Sequence, residues 1–414
     1  MTYIVMQFII FSVTFVYIFK KDRFFGIFYL LLYIYAFFPE IAYLYYPELI
    51  IYLGFYYGDD VFFKYLTFVS LSFISIFIFF VSFYPLLIKN KMLYKVHKSQ
   101  LASSLRIIFY LYIILHLFFT LILFFKFYHM LDYTLVNDQY FQKQQGFLFS
   151  FFLISLNLFS PIIIFVLYVL LRQKRKISFL SITTILFLIE IILLIIISLK
   201  ISRRLVLVSI IVGIIIYEIQ NLKSLNLRFL LKSFLFLSVF FILVDEVFKS
   251  RNPLVLYSKV LHNDYLAPSK ILFTAIAYNI VDPVEVIKSN FFNSLIMFHY
   301  PYLWEIVLEE SRIASSAIYI LSEGYLFLGS LGFIYNGLII FCGIGFWRSM
   351  ALSNNKNYNN FILGLFGISL VAITRGQSCY FFKYFYFYFL QGVFLYYLAT
   401  GLIPKPYNFL KFLK

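Results

Sequence analysis

Four arginines, Arg203, Arg204, Arg312 and Arg375, carry the strongest chemical signal in this chain. A guanidinium presents a planar fork of donors, stays charged at any relevant pH and matches phosphate oxygens two at a time. Arg203 and Arg204 lie in SLKISRRLVL, a short stretch between two long apolar segments, and Arg375 lies in TRGQSC between two more. Such a set suits the grip of a lipid-linked diphosphate. The plainer alternative is snorkelling of each cation to lipid headgroups at a helix end.

Acidic and imidazole groups come next. The motif His262-Asn263-Asp264-Tyr265 is followed by His299, Glu305, Glu309 and Glu310, and Glu323 opens a later apolar run. Transfer of a sugar to a hydroxyl needs a base for the hydroxyl proton, and Asp, Glu or His within reach can take it. His262, Asp264 and Glu323 are the candidate catalytic residues. The alternative for each is ordinary loop polarity in water. His116, Glu190 and Glu218 fall inside apolar runs, where ionisable groups are costly and often functional. A hydrogen bond between helices is the structural alternative for Glu190.

The absences narrow the chemistry. No Walker P-loop and no Rossmann glycine fingerprint is present. Cys342 and Cys379 are the two cysteines, and no Cys/His spacing reads as a metal site. The sequence therefore implies no metal and no cofactor. No soluble domain of the size a nucleotide-sugar transferase needs can be cut from the chain.

The elements that must position these residues are membrane helices. The chain is 63% hydrophobic and 13% charged, where a soluble domain carries about 25% charged residues. Eleven candidate spans fall at about 3–19, 24–46, 64–88, 105–128, 147–171, 178–199, 205–220, 229–248, 323–346, 360–374 and 380–399. Pro39 and Glu40 interrupt the second, which predicts a kink or a re-entrant segment. The first lacks a small-residue cleavage site and is read as a span. The expectation is an all-α, polytopic integral membrane protein, with residues 1–414 as a single membrane domain.

Charge sets the predicted orientation. Clusters such as Lys20, Lys21 and Arg23, or Lys89, Lys91, Lys95 and Lys98, follow alternate spans. By the positive-inside rule they lie in the cytoplasm. The net charge of +16 thus reads as a topology signal, and nucleic acid is excluded as a partner. The connections holding Arg203 and Arg204, and Arg375, then fall outside, against the rule. The longest predicted non-spanning stretch, 249–322, is also outside. Within it, Asp282-Pro283-Val284-Glu285 is a capping box with Pro at the first helical position. The apolar segment SNFFNSLIMFHYPYLWEIVL is expected on the membrane surface or under a lid. The ninth span holds Gly324, Gly329, Gly332, Gly337, Gly343 and Gly345, which predicts close helix packing.

Taken together, SRRLVLVSIIVG, HNDYLAPSKILFTAIAYNIVDPVEVIKSN and SEGYLFLGSLGFIYNG resemble the Wzy-type O-antigen polymerases, in which a large outer loop separates two late spans. That resemblance implies a GT-C-like inner-membrane glycosyltransferase that acts on the periplasmic face without a metal. It implies transfer of the growing glycan from undecaprenyl diphosphate to the non-reducing end of a new lipid-linked repeat unit. The partners implied are undecaprenyl-diphosphate-linked oligosaccharide and membrane lipid, with room for a protein that regulates chain length. An O-antigen ligase and a flippase or other transporter of the lipid-linked oligosaccharide are the alternatives.

The orientation has a direct check. Single cysteines placed across 200–204 and 249–322 should react with an impermeant maleimide added from outside; protection of both regions overturns the assignment.

Overall fold

A computed structural model describes residues 2–45, 57–89, 94–99, 101–128, 148–149, 152–153, 155–173, 181–201, 204–222, 267–294, 319–374 and 376–406. In chain order the elements are α1 (Thr2–Lys21), α2 (Arg23–Tyr45), α3 (Asp59–Lys89), β1 (Tyr94–Lys98), α4 (Ala102–Phe127), a π-helical turn (Ser155–Phe159) leading into α5 (Ser160–Gln173), α6 (Ile182–Ile201) and α7 (Arg204–Asn221). Then follow α8 (Ala267–Tyr278), α9 (Pro283–Ser294), α10 (Ile320–Leu328), a 3-10 turn (Gly329–Leu331), α11 (Gly332–Met350), α12 (Lys356–Thr374) and α13 (Cys379–Tyr384). A second π-helical turn (Phe385–Leu390), α14 (Gln391–Thr400) and β2 (Leu402–Pro406) complete the order. Among the described residues the fold is all-α but for one two-stranded antiparallel ribbon, β1 with β2.

Among the described residues, five stretches are long and apolar enough to cross a membrane: Ile4–Lys21, Asp59–Leu87, Ser103–Phe127, Ile320–Met350 and Lys356–Thr374. The described parts of α2, α5, α6 and α7 contribute shorter apolar helices. The expected span at 229–248 lies outside the described residues, as do parts of the outer loop. α2 runs on through Pro39 to Tyr45. The expected ninth span is broken: α10 ends at Leu328, Gly329 takes φ +60, and α11 starts at Gly332. A side chain at Gly329 would be strained in that conformation. A Cβ at Gly332 would run into the Gly324 carbonyl, so the two short helices touch through backbone. Close packing was the expectation for this glycine-rich run, and this contact supplies it.

The chain divides into two compact units: Met1–Asn90 with Asn226–Ser349 and Leu370–Lys383, and Lys91–Leu225 with Met350–Ser369 and Tyr384–Lys414. Lipid tails are as apolar as leucine, so packing and hydrogen bonds must hold each unit together. In the first unit Phe11 stacks on Tyr33 at 3.7 Å between ring centroids, and Tyr29 meets Phe73 edge-on at 5.2 Å. Each such pair adds about 0.5–1.5 kcal/mol beyond area burial. α8 belongs to this core. Its Phe273 stacks on Tyr65 at 4.1 Å, and its Ser269 hydroxyl donates to the Tyr35 carbonyl at 3.1 Å.

Polar contacts within each unit sort the helix ends into two sets. In the first unit Asp22, just after α1, accepts from Arg348 Nε at 2.7 Å and from the Tyr84 hydroxyl at 2.8 Å. These are the ends of α1, α3 and α11 predicted on one side. Tyr57 meets Thr274 at 3.0 Å, and the Asp282 N–H donates to the Leu326 carbonyl at 2.8 Å. Those belong to the predicted opposite side. In the second unit β1 pairs with β2, Arg172 Nε donates to Glu218 at 2.9 Å, and Asn360 donates to Asn221 at 2.7 Å. All of these contacts join residues that the charge pattern places together.

Asp22 is the anchor of the first set. Its Oδ1 also accepts the Phe25 N–H at 3.0 Å, capping α2. Its side chain is 3% exposed and that of Arg348 is 25% exposed. Arg348→Ala leaves a buried carboxylate short of its cation, a loss of about 3–5 kcal/mol. Thermal unfolding in detergent should show a marked drop for Arg348→Ala and partial recovery in Asp22→Asn/Arg348→Ala.

Candidate functional site

The site lies in the first unit and is built from the outer-loop helix α9 upward. Asp282 Oδ1 accepts the Glu285 N–H at 3.0 Å, and Pro283 takes the first helical position, as the capping signature predicts. The Glu285 carboxylate turns to Lys288 at 2.7 Å. The cap's own N–H, on Asp282, is held by Leu326 of α10. Capping and docking are therefore one event: the residue that starts α9 also ties it to α10.

α9 is inverted relative to a helix in water. Ser289 and Asn293 are buried together with Val286, while Val284, Ile287 and Phe291 are exposed beside Lys288. A water-facing helix would hide its apolar stripe. An apolar outward face suits contact with lipid, consistent with a loop segment that lies at a membrane.

The inward polar face meets Glu323. This residue is fully buried in the first turn of α10. Its Oε1 accepts from Asn290 Nδ2 at 2.8 Å, from the Tyr335 hydroxyl at 2.5 Å and from the Ser378 hydroxyl at 2.7 Å. Its Oε2 accepts the Ser378 backbone N–H at 2.7 Å. Asn290 Oδ1 in turn accepts the Cys379 N–H at 3.3 Å. Beside it, Gln377 Nε2 and Asn293 Nδ2 both donate to Ser289 Oγ at 3.2 Å. Four segments therefore converge on one carboxyl group: α9, α10, α11 and the turn 376–379.

All four donors to Glu323 are neutral, and among the described residues no Lys or Arg pairs with it. A carboxyl group with its oxygens so engaged is poorly disposed to take a proton from a substrate. Its geometry is that of a positioning residue, which fixes the turn preceding α13. One turn away, Asn336 of α11 donates to the Leu321 carbonyl at 2.9 Å and to Ser72 at 3.1 Å. That bond holds α10 against α11 and α3.

The remaining candidates are placed only in part. Arg203, Arg312, Arg375, His262 and Asp264 lie outside the described residues, and Arg204 is described only as the first residue of α7. Thr374 and Gly376, the neighbours of Arg375, are both buried in the first unit. Ser289, Asn290, Asn293, Tyr335, Gln377 and Ser378 went unremarked in the sequence. The signal that could have found them is the polar run Ser289, Asn290 and Asn293 on a helix otherwise apolar at Val284, Ile287 and Phe291. No group of three or more metal-ligating side chains forms among the described residues.

No protein-family model matches the chain, and comparison with curated proteins and with solved structures likewise finds no match.

Removing single partners should separate hub from ornament. Ser378→Ala deletes one charge-assisted bond, about 1.5–3 kcal/mol. Glu323→Gln turns an amide N–H₂ toward donors and should cost more. Thermal unfolding in detergent orders the variants, with Glu323→Gln the least stable and Glu285→Gln near wild type.

Proposed function

We propose that the chain is a polyprenyl-diphosphate-dependent glycosyltransferase, an O-antigen polymerase of the bacterial inner membrane with its site on the periplasmic face. The observation that carries this reading is the Glu323 hub. It joins the mouth of an apolar span to a loop helix and to the turn that follows Arg375 directly in sequence. A fully buried carboxyl group holds that turn by two hydrogen bonds, from the Ser378 N–H and hydroxyl.

The chemistry then follows from charge. The bond between the anomeric carbon of the growing chain and its diphosphate oxygen breaks, and negative charge builds on the leaving undecaprenyl diphosphate. Arginines already in place stabilise that charge more in the transition state than in the bound substrate. Arg375 is assigned this task, with Arg203, Arg204 and Arg312 as further candidates. The anomeric carbon bonds to a hydroxyl at the non-reducing end of the acceptor repeat unit. His262 or Asp264 takes the proton that the hydroxyl loses. Glu323 acts through the turn it holds.

Substitution of Arg375 by Ala should leave the protein in the membrane and collapse long surface chains to a single repeat unit on a polysaccharide ladder gel. Arg375→Lys should restore length only in part, since the fork is lost while the charge stays. Arg203→Ala and Arg204→Ala should shorten chains too. Normal ladders from all three alanine variants exclude the diphosphate role. Loss of every chain from the core in a deletion strain points instead to a ligase or flippase.

A further inference from the structure

The second unit contains a polar seam that the proposed transfer does not use. His116 lies in the middle of α4, a stretch of apolar residues long enough to cross a membrane. Its Nδ1 is 3.0 Å from Glu190 Oε1, in the middle of α6. Its Nε2 is 3.0 Å from the Ser155 hydroxyl, on the first residue of the π-helical turn. The exposures of the His116 and Glu190 side chains are 8% and 1%. With Glu190 ionised and the imidazole neutral, Nδ1 donates to Glu190 and Nε2 accepts from Ser155.

We propose that His116 and Glu190 form a proton-binding site in the middle of the membrane-spanning part of this unit, with Ser155 as the hydroxyl through which the imidazole exchanges its proton. Charge arithmetic favours a proton as the ligand. A neutral imidazole beside a carboxylate carries one net negative charge in an apolar helix pair. One added proton, entering on Nε2, brings the pair to zero, and the Nδ1 proton can then pass along its hydrogen bond to Glu190, giving the neutral acid beside a neutral imidazole. Ser155 then turns from donor to acceptor, and no heavy atom has to move. A metal ion does not fit, because both ring nitrogens already have hydrogen-bond partners and Zn²⁺ needs three or four protein ligands.

Two further observations mark a path for the proton. Thr120 lies one turn beyond His116 on the same face of α4; it is 1% exposed, and its hydroxyl has no hydrogen-bond partner. On the other side, Tyr112 accepts from Gln391 Nε2 of α14 at 3.4 Å, and Gln391 Oε1 is buried without a partner. Buried polar atoms left unpaired in an apolar setting are where water binds. The first π-helical turn also fits, since such turns concentrate at functional sites. The titratable groups that face the pair are few. Tyr112, on α4 itself, lies within electrostatic range of Glu190. Gln391 from α14 and Ser155 are neutral. Along α5, Tyr168 and Arg172 are bound to Glu218. Glu190 has no Lys or Arg partner among the described residues.

Dicyclohexylcarbodiimide, a lipid-soluble reagent that adds to protonated carboxyl groups, tests this on the purified chain in detergent. Modification of Glu190, mapped by mass spectrometry from pH 5 to pH 9, should fall as pH rises. His116→Gln removes the competing base, so modification at Glu190 should rise at least several-fold and change its pH profile. Ser155→Ala should shift the profile while leaving modification intact. Glu190→Gln should lose the adduct. Each variant is compared only if it elutes as wild type on gel filtration. A profile that is flat with pH, an unmodified Glu190 at every pH, or a His116→Gln profile that overlays wild type reduces the seam to structural hydrogen bonds and overturns the proposal.

Discussion

A carboxyl group inside an apolar helix bundle must find its hydrogen-bond partners within the protein. Water is not there to supply them, and an unmet charge costs several kcal/mol. The architecture around Glu323 follows from that constraint. Four donors reach it from three segments besides its own. To bring Asn290 into range, α9 must turn its polar face inward. Its apolar residues Val284, Ile287 and Phe291 are then left outward. That arrangement suits an apolar outside. The buried carboxyl and the inverted helix are thus two consequences of one requirement. The Asp282 cap, tied to Leu326, holds the helix in that orientation.

The same requirement acts at the predicted opposite ends of the spans. Asp22 gathers Arg348, Tyr84 and the first turn of α2. Glu218 gathers Arg172 and Tyr168 in the second unit. Within each unit these contacts, and the β1–β2 ribbon, bind ends that charge alone assigned to a common side. Electrostatic sorting by loop charge and pairing by hydrogen bond are independent physical effects.

The sequence was legible where its signal was long or local. Apolar run length marked α1, α3, α4 and α12, and the capping box marked the start of α9 at Pro283. The break at Gly329 was not legible, because a run from Ile320 to Met350 reads as one span by composition. Only the positive φ and the contact between Gly324 and Gly332 show two helices, the short α10 and the longer α11. The ribbon was missed for a different reason. Tyr94–Lys98 and Leu402–Pro406 are short, and a strand gains meaning only from a partner distant in sequence. Glu323 was recognisable as an unusual residue, but its role was not. Hydrogen bonds from Asn290 and Ser378 reach across 33 and 55 positions, and no local pattern encodes them.

That role bears on how the proposed transfer divides its labour. A general base needs an oxygen or nitrogen free to meet the substrate proton at about 2.6–3.2 Å. Glu323 Oε1 accepts three bonds and Oε2 accepts a fourth. A substrate hydroxyl would have to displace one of them and unfasten the turn before α13. In the proposed transfer the base is then a group other than Glu323, with His262 and Asp264 as the sequence candidates. On this division a carboxyl group fixed in the bundle steadies the turn 376–379, and proton transfer falls to the loop. Placing both tasks on one carboxyl would require it to release its structural bonds at every turnover.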